Sequence, residues 1–174
     1  FGLLEANENG DMHYRELSHM LDTSIRFFDV WQTYASDSSI WFSSYDYLFR
    51  YQNQEITFIK SDTRIREIFM LDEDFYIYQS DKGLFTINND SLVMAPSGAD
   101  IELFSSSFLF DNGIQLLPCQ YSGVFLYEPS SDNPLRKLHF NDFFENARLY
   151  SAARISDNLY AFGTTSKGLL VTDK

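Results

Sequence analysis

The sequence predicts an all-β fold built from repeated four-stranded antiparallel sheets. A phrase made of a turn, a short aromatic strand, a polar turn and a second strand recurs over residues 37–51, 72–88, 111–128 and 157–173. Equivalent positions of the copies, including a half copy at residues 1–6, are Leu3, Leu48, Leu84, Val124 and Leu169. They lie 45, 36, 40 and 45 residues apart, and the intervals have room for two more strands each. This period and strand count are typical of the blades of a β-propeller.

The first strand of each phrase alternates between apolar residues and residues of other kinds. Ile40 and Phe42 in one copy, and Phe75 and Ile77 in the next, are predicted to point inward, with polar or aromatic residues between them. Alternation with a period of two suits a strand that has one face against a packed neighbour. We therefore expect one buried face in each of these strands.

A hairpin is predicted inside each phrase. The second strand follows a polar tight turn, such as that at residues 80–82, and begins at Gly83, Gly123 or Gly168. Glycine at this place supplies either a positive φ or a close approach of another backbone segment. Tyr47 occupies the same place in the remaining copy and indicates that a positive φ is not obligatory there.

The intervals between phrases supply the other two strands of each sheet. Innermost strands are predicted at residues 27–34, 64–71, 102–110 and 150–155, and outermost strands at residues 12–17, 55–60, 91–95 and 135–140. Two insertions interrupt the period. Residues 141–149 begin with capping residues and are predicted to form one or two helical turns, and residues 18–24 are a similar insertion.

The predicted organisation is one propeller segment over residues 1–174. Partial blades are expected at residues 1–24 and 147–174, and complete blades at about residues 25–61, 62–98 and 99–146. The first partial blade holds the third and fourth strands and the last holds the first to third, so joining them would duplicate a strand. We therefore expect a fragment of a larger propeller rather than a small closed ring.

The composition of the chain favours a packed β-protein and argues against a nucleic-acid-binding protein. Aromatic residues make up 17% of the chain, which suits packing between blades. The formal net charge is −12, and no basic stripe that would bind nucleic acid is present. Cys119 is the only cysteine and lies in an apolar predicted strand, so we expect a small buried side chain rather than a nucleophile.

Two phrases carry a resemblance to a known family. Residues 40–51 (IWFSSYDYLFRY) and 81–86 (DKGLFT) resemble the two-component regulator propeller repeat, and residues 27–34 (FFDVWQTY) are similar to the sensor regions of Bacteroidetes regulators. The resemblance implies the periplasmic sensor propeller of a membrane-anchored transcriptional regulator or hybrid histidine kinase. It also implies a triple-tyrosine domain, a membrane helix and a cytoplasmic helix-turn-helix or kinase output. The chain departs from the pattern at Tyr47, which replaces the glycine, and at residues 115–118, which lack the usual aromatic pair.

We therefore expect a non-catalytic sensor or ligand-binding segment that acts in signal transduction and transcription regulation without a cofactor. The expected partners are a small-molecule or glycan ligand, the remaining blades and downstream domains of the parent chain, and a second copy in a homodimer. Two alternatives stay open. One is an accessory or catalytic propeller of a hydrolase or lyase that acts on polysaccharide, and the other is a structural ring that dimerises a receptor.

No catalytic or metal-binding residue is assigned from the sequence. His13, His19 and His139 lack the spacing of a metal site. The acidic turn at residues 72–74 could hold a cation, but a turn in which aspartate caps its own backbone explains it as well. Asp29 and Asp46 would serve as the carboxylate pair of a hydrolase only if they faced one cleft about 5–10 Å apart.

Ligand-binding residues also stay unassigned. Exposed tyrosine and tryptophan side chains bind sugars and peptides by stacking and through their polar tips. Most aromatic residues of this chain fall at predicted core positions. The sequence does not choose among Trp31, Tyr45, Tyr78 and Tyr121 as platform residues.

Overall fold

The structure is a computed structural model that describes residues 1–36, 38–104, 106–111, 113–140, 143–144 and 146–173. The chain forms two compact units, Phe1–Ile65 and Arg66–Lys174. Within the described ranges both consist of antiparallel sheets, and helical structure is limited to short 3₁₀ turns. None of these helical segments is long and apolar enough to cross a membrane.

The first unit contains a hairpin and a four-stranded sheet. Strands β1 (Gly2–Ala6) and β2 (Met12–Glu16) form the hairpin, and a 3₁₀ turn at Ser18–Met20 follows it. The sheet has consecutive antiparallel neighbours, which are β3 (Gln32–Ala35), β4 (Ile40–Ser43), β5 (Tyr47–Gln52) and β6 (Glu55–Lys60). Its apolar core is formed by Leu17, Phe42, Tyr47 and Phe49, with partly buried residues of the hairpin packed against them.

The second unit contains three sheets in which each strand pairs with its neighbour in sequence. The first sheet consists of β7 (Ile65–Leu71), β8 (Asp74–Gln79), β9 (Gly83–Asn88) and β10 (Ser91–Met94). The second consists of β11 (Phe108–Asp111), β12 (Ile114–Cys119), β13 (Gly123–Tyr127) and β14 (Leu135–Lys137). The third consists of β15 (Leu149–Ser156), β16 (Leu159–Thr164) and β17 (Leu169–Asp173).

The strands that the repeated phrases predict are confirmed, and so are the outermost strands to within a few residues. Two innermost strands are shorter than predicted. The stretch at residues 27–34 becomes strand only from Gln32, because Phe27 and Val30 pack against the core of the first unit from an irregular segment. In the stretch at residues 102–110, of which residue 105 is not described, regular strand begins at Phe108, and Phe104 forms an isolated bridge to Cys119.

The expectation of one buried face per strand is wrong for the second strand of a sheet. In β8 the five residues at positions 75–79 are all buried. In β12 Leu117 belongs to one apolar core and Leu116 to another. A second strand lies inside its sheet, and in the second unit the middle sheet has neighbours on both faces. The alternating residues of β12 therefore face two different cores, rather than a core and solvent.

The two predicted insertions have different outcomes. Residues 18–24 contain the 3₁₀ turn at Ser18–Met20. In the other insertion, residues 141, 142 and 145 lie outside the described part of the chain, and residues 143, 144 and 146 form turns. Leu149, predicted as the end of this helical segment, is instead the first residue of β15 and is buried in the core between the last two sheets.

Candidate functional site

A partly buried tyrosine of the first unit packs against an exposed tryptophan and an exposed arginine. Tyr45 is in the turn between β4 and β5, Trp31 directly precedes β3, and Arg64 directly precedes β7. The ring centroids of Trp31 and Tyr45 are 4.9 Å apart, with an angle of 42° between the planes. The guanidinium carbon of Arg64 lies 3.4 Å from the centroid of the Tyr45 ring. Trp31 and Arg64 thus both pack against Tyr45, and we call the three side chains the Trp31 platform.

Backbone hydrogen bonds hold the platform in place. The Trp31 N–H donates to the Ser43 carbonyl at 2.8 Å, which fixes the indole beside the end of β4. The Ser44 N–H donates to the Tyr47 carbonyl at 2.8 Å, and the Ile65 N–H donates to the Tyr45 carbonyl at 2.7 Å. These bonds tie the turn to the start of the following strand. The platform is therefore preorganised by the β-sheet rather than by a free loop.

The platform offers two kinds of recognition. Trp31 is 56% exposed, so much of the indole surface is open to solvent. Arg64 is exposed, and among the described residues its guanidinium contacts the Tyr45 ring and has no hydrogen-bond or ion-pair partner. A stacked guanidinium keeps its N–H groups in the plane and directs them outward as a rigid fork that fits a carboxylate. The surface can thus stack on a flat apolar face and pair with an anionic group.

The second unit carries a related pair. Tyr121 lies in the turn between β12 and β13 and is 68% exposed. Arg148 directly precedes β15, and its guanidinium carbon lies 5.3 Å from the centroid of the Tyr121 ring. Arg148 also donates to the Gln120 Oε1 from Nε at 3.2 Å and from Nη2 at 2.7 Å. Because these donors are engaged within the chain, the Arg148 fork is less available to a ligand than the Arg64 fork.

The repeat itself contains the signal for these pairs. Tyr45 lies three residues before Leu48, and Tyr121 lies three residues before Val124, so the two tyrosines occupy the same position of the repeat. Sequence reasoning named both tyrosines but missed Arg64 and Arg148. Each arginine stands immediately before the innermost strand that follows its turn. Each arginine lies in the segment that joins one blade to the next. This segment passes the turn that carries the tyrosine of the earlier blade, which brings the cation over the ring.

Tyr78, the remaining platform candidate, belongs to the core. It is 5% exposed, and its ring centroid lies 5.2 Å from that of Phe104. Burial raises the pKa of the Tyr78 phenol to about 12. The structure therefore separates the four candidates: Trp31 and Tyr45 meet in one platform, Tyr121 pairs with Arg148, and Tyr78 is unavailable.

The structure brings no metal cluster together among the residues that it describes. His13 lies in β2 and its Nε2 is 3.0 Å from the Asn7 side-chain nitrogen, whereas His19 lies in the 3₁₀ turn and His139 follows β14. Asp29 lies in the exposed segment before β3, and Asp46 lies in the turn between β4 and β5, where its carbonyl accepts a hydrogen bond from the Ser61 N–H. Among the described residues, no observation specifically supports the hydrolase alternative.

Cys119 is expected to resist thiol reagents in the folded chain. It is 1% exposed, its Sγ lies 3.8 Å from the Glu102 carbonyl, and burial raises the pKa of the thiol to about 12. At pH 8 this lowers the thiolate fraction on the order of a thousandfold relative to an ordinary cysteine. Reaction with Ellman's reagent should be slow in buffer and fast in urea. Equal rates under the two conditions would contradict the burial.

Comparison with known proteins provides evidence on the fold of this chain. Neither a protein-family model nor a curated protein matches the sequence. The computationally designed protein Ika4 is 9% identical with a TM-score of 0.58, and the alignment covers 81% of this chain and 88% of Ika4. YCF48 from Cyanidioschyzon merolae is 11% identical with a TM-score of 0.56, covering 83% of this chain and 50% of YCF48. BBS1N, solved in a complex with ARL6DN, is 11% identical with a TM-score of 0.55, covering 78% of this chain and 46% of BBS1N.

The chain has a β-propeller fold. The sheets of four antiparallel strands are its blades, which confirms the fold class predicted from the repeat. The chain spans about half the length of the YCF48 and BBS1N structures that it matches. At these identities the likeness concerns the fold alone, because propellers host many unrelated functions.

Proposed function

We propose that this propeller is a non-catalytic ligand-binding segment, that it acts as the sensor part of a bacterial signalling regulator, and that its ligand is a glycan bearing a carboxylate. The observation that carries the proposal is the Trp31 platform, where an exposed indole and an arginine without a polar partner among the described residues both pack against one tyrosine ring. The regulator context is supported by the resemblance of residues 40–51 and 81–86 to the regulator propeller repeat.

The chemistry of the platform selects this ligand class. A pyranose ring has a flat face of C–H groups, which stacks on an indole and covers apolar surface that is otherwise in water. A carboxylate on the same ring can accept two parallel hydrogen bonds from the Arg64 guanidinium. The net charge of −12 opposes long polyanions. At physiological salt, charges beyond about 8 Å are largely screened. The binding of a short acidic oligosaccharide therefore depends on the nearby Arg64 guanidinium more than on the net charge of the chain.

Signalling would follow from differential binding. A ligand shifts an equilibrium between two placements of propeller and downstream domain only by the ratio of its affinities for them. Occupying a surface where one blade ends and the next strand begins gives the ligand contacts with two segments of the repeat. A shift of a few kcal/mol is sufficient for a switch of this kind.

Replacing Trp31 with alanine is expected to weaken binding of trigalacturonate at least about tenfold, because it removes the stacking surface. Arg64→Gln should weaken binding of trigalacturonate by a similar factor and leave binding of its methyl-esterified form unchanged, because only the acid uses the guanidinium fork. Titration calorimetry measures both affinities. Tryptophan fluorescence gives a second readout, since Trp31 is exposed and the other tryptophan, Trp41, is buried.

Phe28→Ala is the matched control. Phe28 is 76% exposed in the same segment and has no ring contact among the described residues, so its loss should leave the affinity unchanged. Equal effects of Trp31→Ala and Phe28→Ala, or no binding of either sugar, would contradict the proposed site. Chromatography of the incubated sugar tests the hydrolase alternative, because cleavage products would appear. Sedimentation of the unliganded chain tests the dimerisation ring.

A further inference from the structure

The last sheet of the second unit has one exposed apolar face. Ala161 of β16 pairs with Val171 of β17, and Gly163 pairs with Leu169, so these four residues lie on the same face of the sheet. Leu169 is 65% exposed and Val171 is 47% exposed. Phe162 lies on the opposite face and is buried in the core next to the β11–β14 sheet. We call the exposed face, made of the four paired residues, the β17 face.

The internal repeat shows what covers the equivalent face in the preceding sheets. Leu84 and Val124 occupy the position that Leu169 holds in the last sheet, and both are 0% exposed. Leu84 shares a core with Leu117 of the following sheet, and Val124 shares a core with Phe162 of the following sheet. In both cases an antiparallel sheet covers the face. The β17 face therefore has the position and the apolar character of a surface that packs against another sheet of this kind.

The β1–β2 hairpin of the first unit has an exposed apolar face of its own. Leu3 packs against the core of the first unit, so its neighbour Leu4 points to the opposite face of the hairpin. Tyr14 pairs with Leu4, and Met12 lies on the same face. We call these three residues the hairpin face, and their exposed fractions are 64% for Leu4, 62% for Tyr14 and 56% for Met12. Contiguous apolar surface of this kind indicates an interaction site.

The repeat indicates that the hairpin face and the β17 face are complementary. Leu4 occupies the position that Phe125 and Leu170 hold in their own sheets. Phe125 packs against the core that its sheet shares with the preceding sheet, and Leu170 does the same. The hairpin face is therefore the side of a sheet that packs on a preceding sheet. The β17 face is the side that packs on a following sheet.

We propose that the β17 face is a docking surface for the hairpin face of a second copy of this chain. One molecule carries both halves of a sheet-to-sheet contact, and the second unit shows such halves packed together. Because the two faces are different surfaces, the contact joins unlike patches, as in a heterologous interface. Association removes the apolar side chains of both faces from water, which favours it.

Val171→Lys and Leu4→Lys each place a charge on one of the two faces. Sedimentation equilibrium is expected to show that the wild-type chain associates beyond the mass of one chain, with a Kd of about 100 µM or tighter. Each substitution should weaken this association at least about tenfold, because the ammonium group loses water in the contact. Val93→Lys is the matched control, since Val93 lies in β10 and is 42% exposed, and it should leave the association unchanged. Melting temperatures check that each variant is folded.

Mixing the two face variants tests whether the contact joins unlike surfaces. Leu4→Lys keeps an intact β17 face, and Val171→Lys keeps an intact hairpin face. An intact pair of faces is present only in the mixture. The equimolar mixture is therefore expected to form complexes of two chains at concentrations where each variant alone is a monomer.

Several results would overturn the proposal. A wild-type chain that is a monomer at about 100 µM would mean that the chain's own hairpin or a further blade of the parent chain covers the β17 face. Equal association of Val171→Lys and Val93→Lys would exclude the β17 face. Wild-type association of Leu4→Lys would exclude the hairpin face, and a monomeric mixture would exclude a contact between them.

The inference does not rest on the proposed sugar site, because the three residues of the Trp31 platform lie outside both faces. The affinity for trigalacturonate should be the same in Val171→Lys and in the wild type. Failure of sugar binding would leave the association intact, and failure of association would leave the sugar site intact. Association together with sugar binding is compatible with a sensor, whereas the dimerisation ring requires association without it.

Discussion

Gly83→Ala is expected to lower the unfolding free energy of the second unit by about 4 kcal/mol, from backbone strain and overpacking together. Gly83 opens β9 with a φ of +101°, which side-chain-bearing residues rarely adopt. A Cβ at this position would also overlap the Gly98 carbonyl oxygen, which is backbone and cannot rotate away. The substitution therefore forces either the hairpin or the 3₁₀ turn at Gly98–Asp100 to move.

Gly168→Ala is the control that separates strain from overlap. Gly168 occupies the equivalent position of the repeat, has a φ of +79° and has nothing within 4 Å of an added Cβ. Only the conformational cost of about 1–2 kcal/mol remains there. Urea denaturation followed by far-UV circular dichroism compares the two variants. Equal losses of stability would mean that the close approach of Gly98 does not contribute.

Phe49→Ala is expected to lower the unfolding free energy of the first unit by about 3–5 kcal/mol. Phe49 is fully buried, and its ring centroid lies 5.2 Å from that of Phe1, 4.9 Å from that of Phe27 and 5.6 Å from that of Tyr47. Truncation leaves a cavity among rings that cannot all collapse into it. The same rings join the hairpin, the segment before β3 and β5, so cooperativity should fall as well.

Phe58→Ala is the matched control variant for Phe49→Ala. Phe58 is the cross-strand partner of Phe49 on β6, yet it is 47% exposed. Its truncation should cost less than about 1 kcal/mol. Tryptophan fluorescence during urea denaturation reports on this unit, because Trp31 and Trp41 both belong to it. A similar loss of stability in the two variants would show that the ring cluster is not the centre of this core.

The glycine and tyrosine at the start of the third strand show how far sequence reasoning reaches. Gly83, Gly123 and Gly168 were predicted to supply either a positive φ or a close approach, and all three have positive φ. Tyr47 does not have a positive φ, as predicted, and its ring stacks on Phe49 with planes inclined by 13°. The close approach, in contrast, is found at Gly83 because the Gly98 backbone lies there. Contacts between distant segments carry no local sequence signal.

The candidate site shows the same difference between what local sequence predicts and what contacts between distant segments decide. Trp31, Tyr45, Tyr78 and Tyr121 are all aromatic residues with a polar group, and the sequence does not choose among them. Their exposure differs because Tyr78 lies in a core between two sheets, whereas Trp31 and Tyr121 keep more than half of their surface open to solvent. Arg64 and Arg148 directly precede the innermost strands of the structure, but the predicted starts of those strands, in residues 64–71 and 150–155, were one residue off and did not mark this position.

The amino-acid pattern alone determined the repeat, the order and approximate bounds of most strands, and the β-propeller fold, because these depend on local periodicity and turn residues. Only the tertiary structure decided that second strands are buried on both faces, that Trp31 and Arg64 both pack against Tyr45, and that the Tyr160 hydroxyl is buried without a partner among the described residues. Burial and pairing depend on which surfaces face each other when sheets pack, and a one-dimensional pattern leaves that choice open.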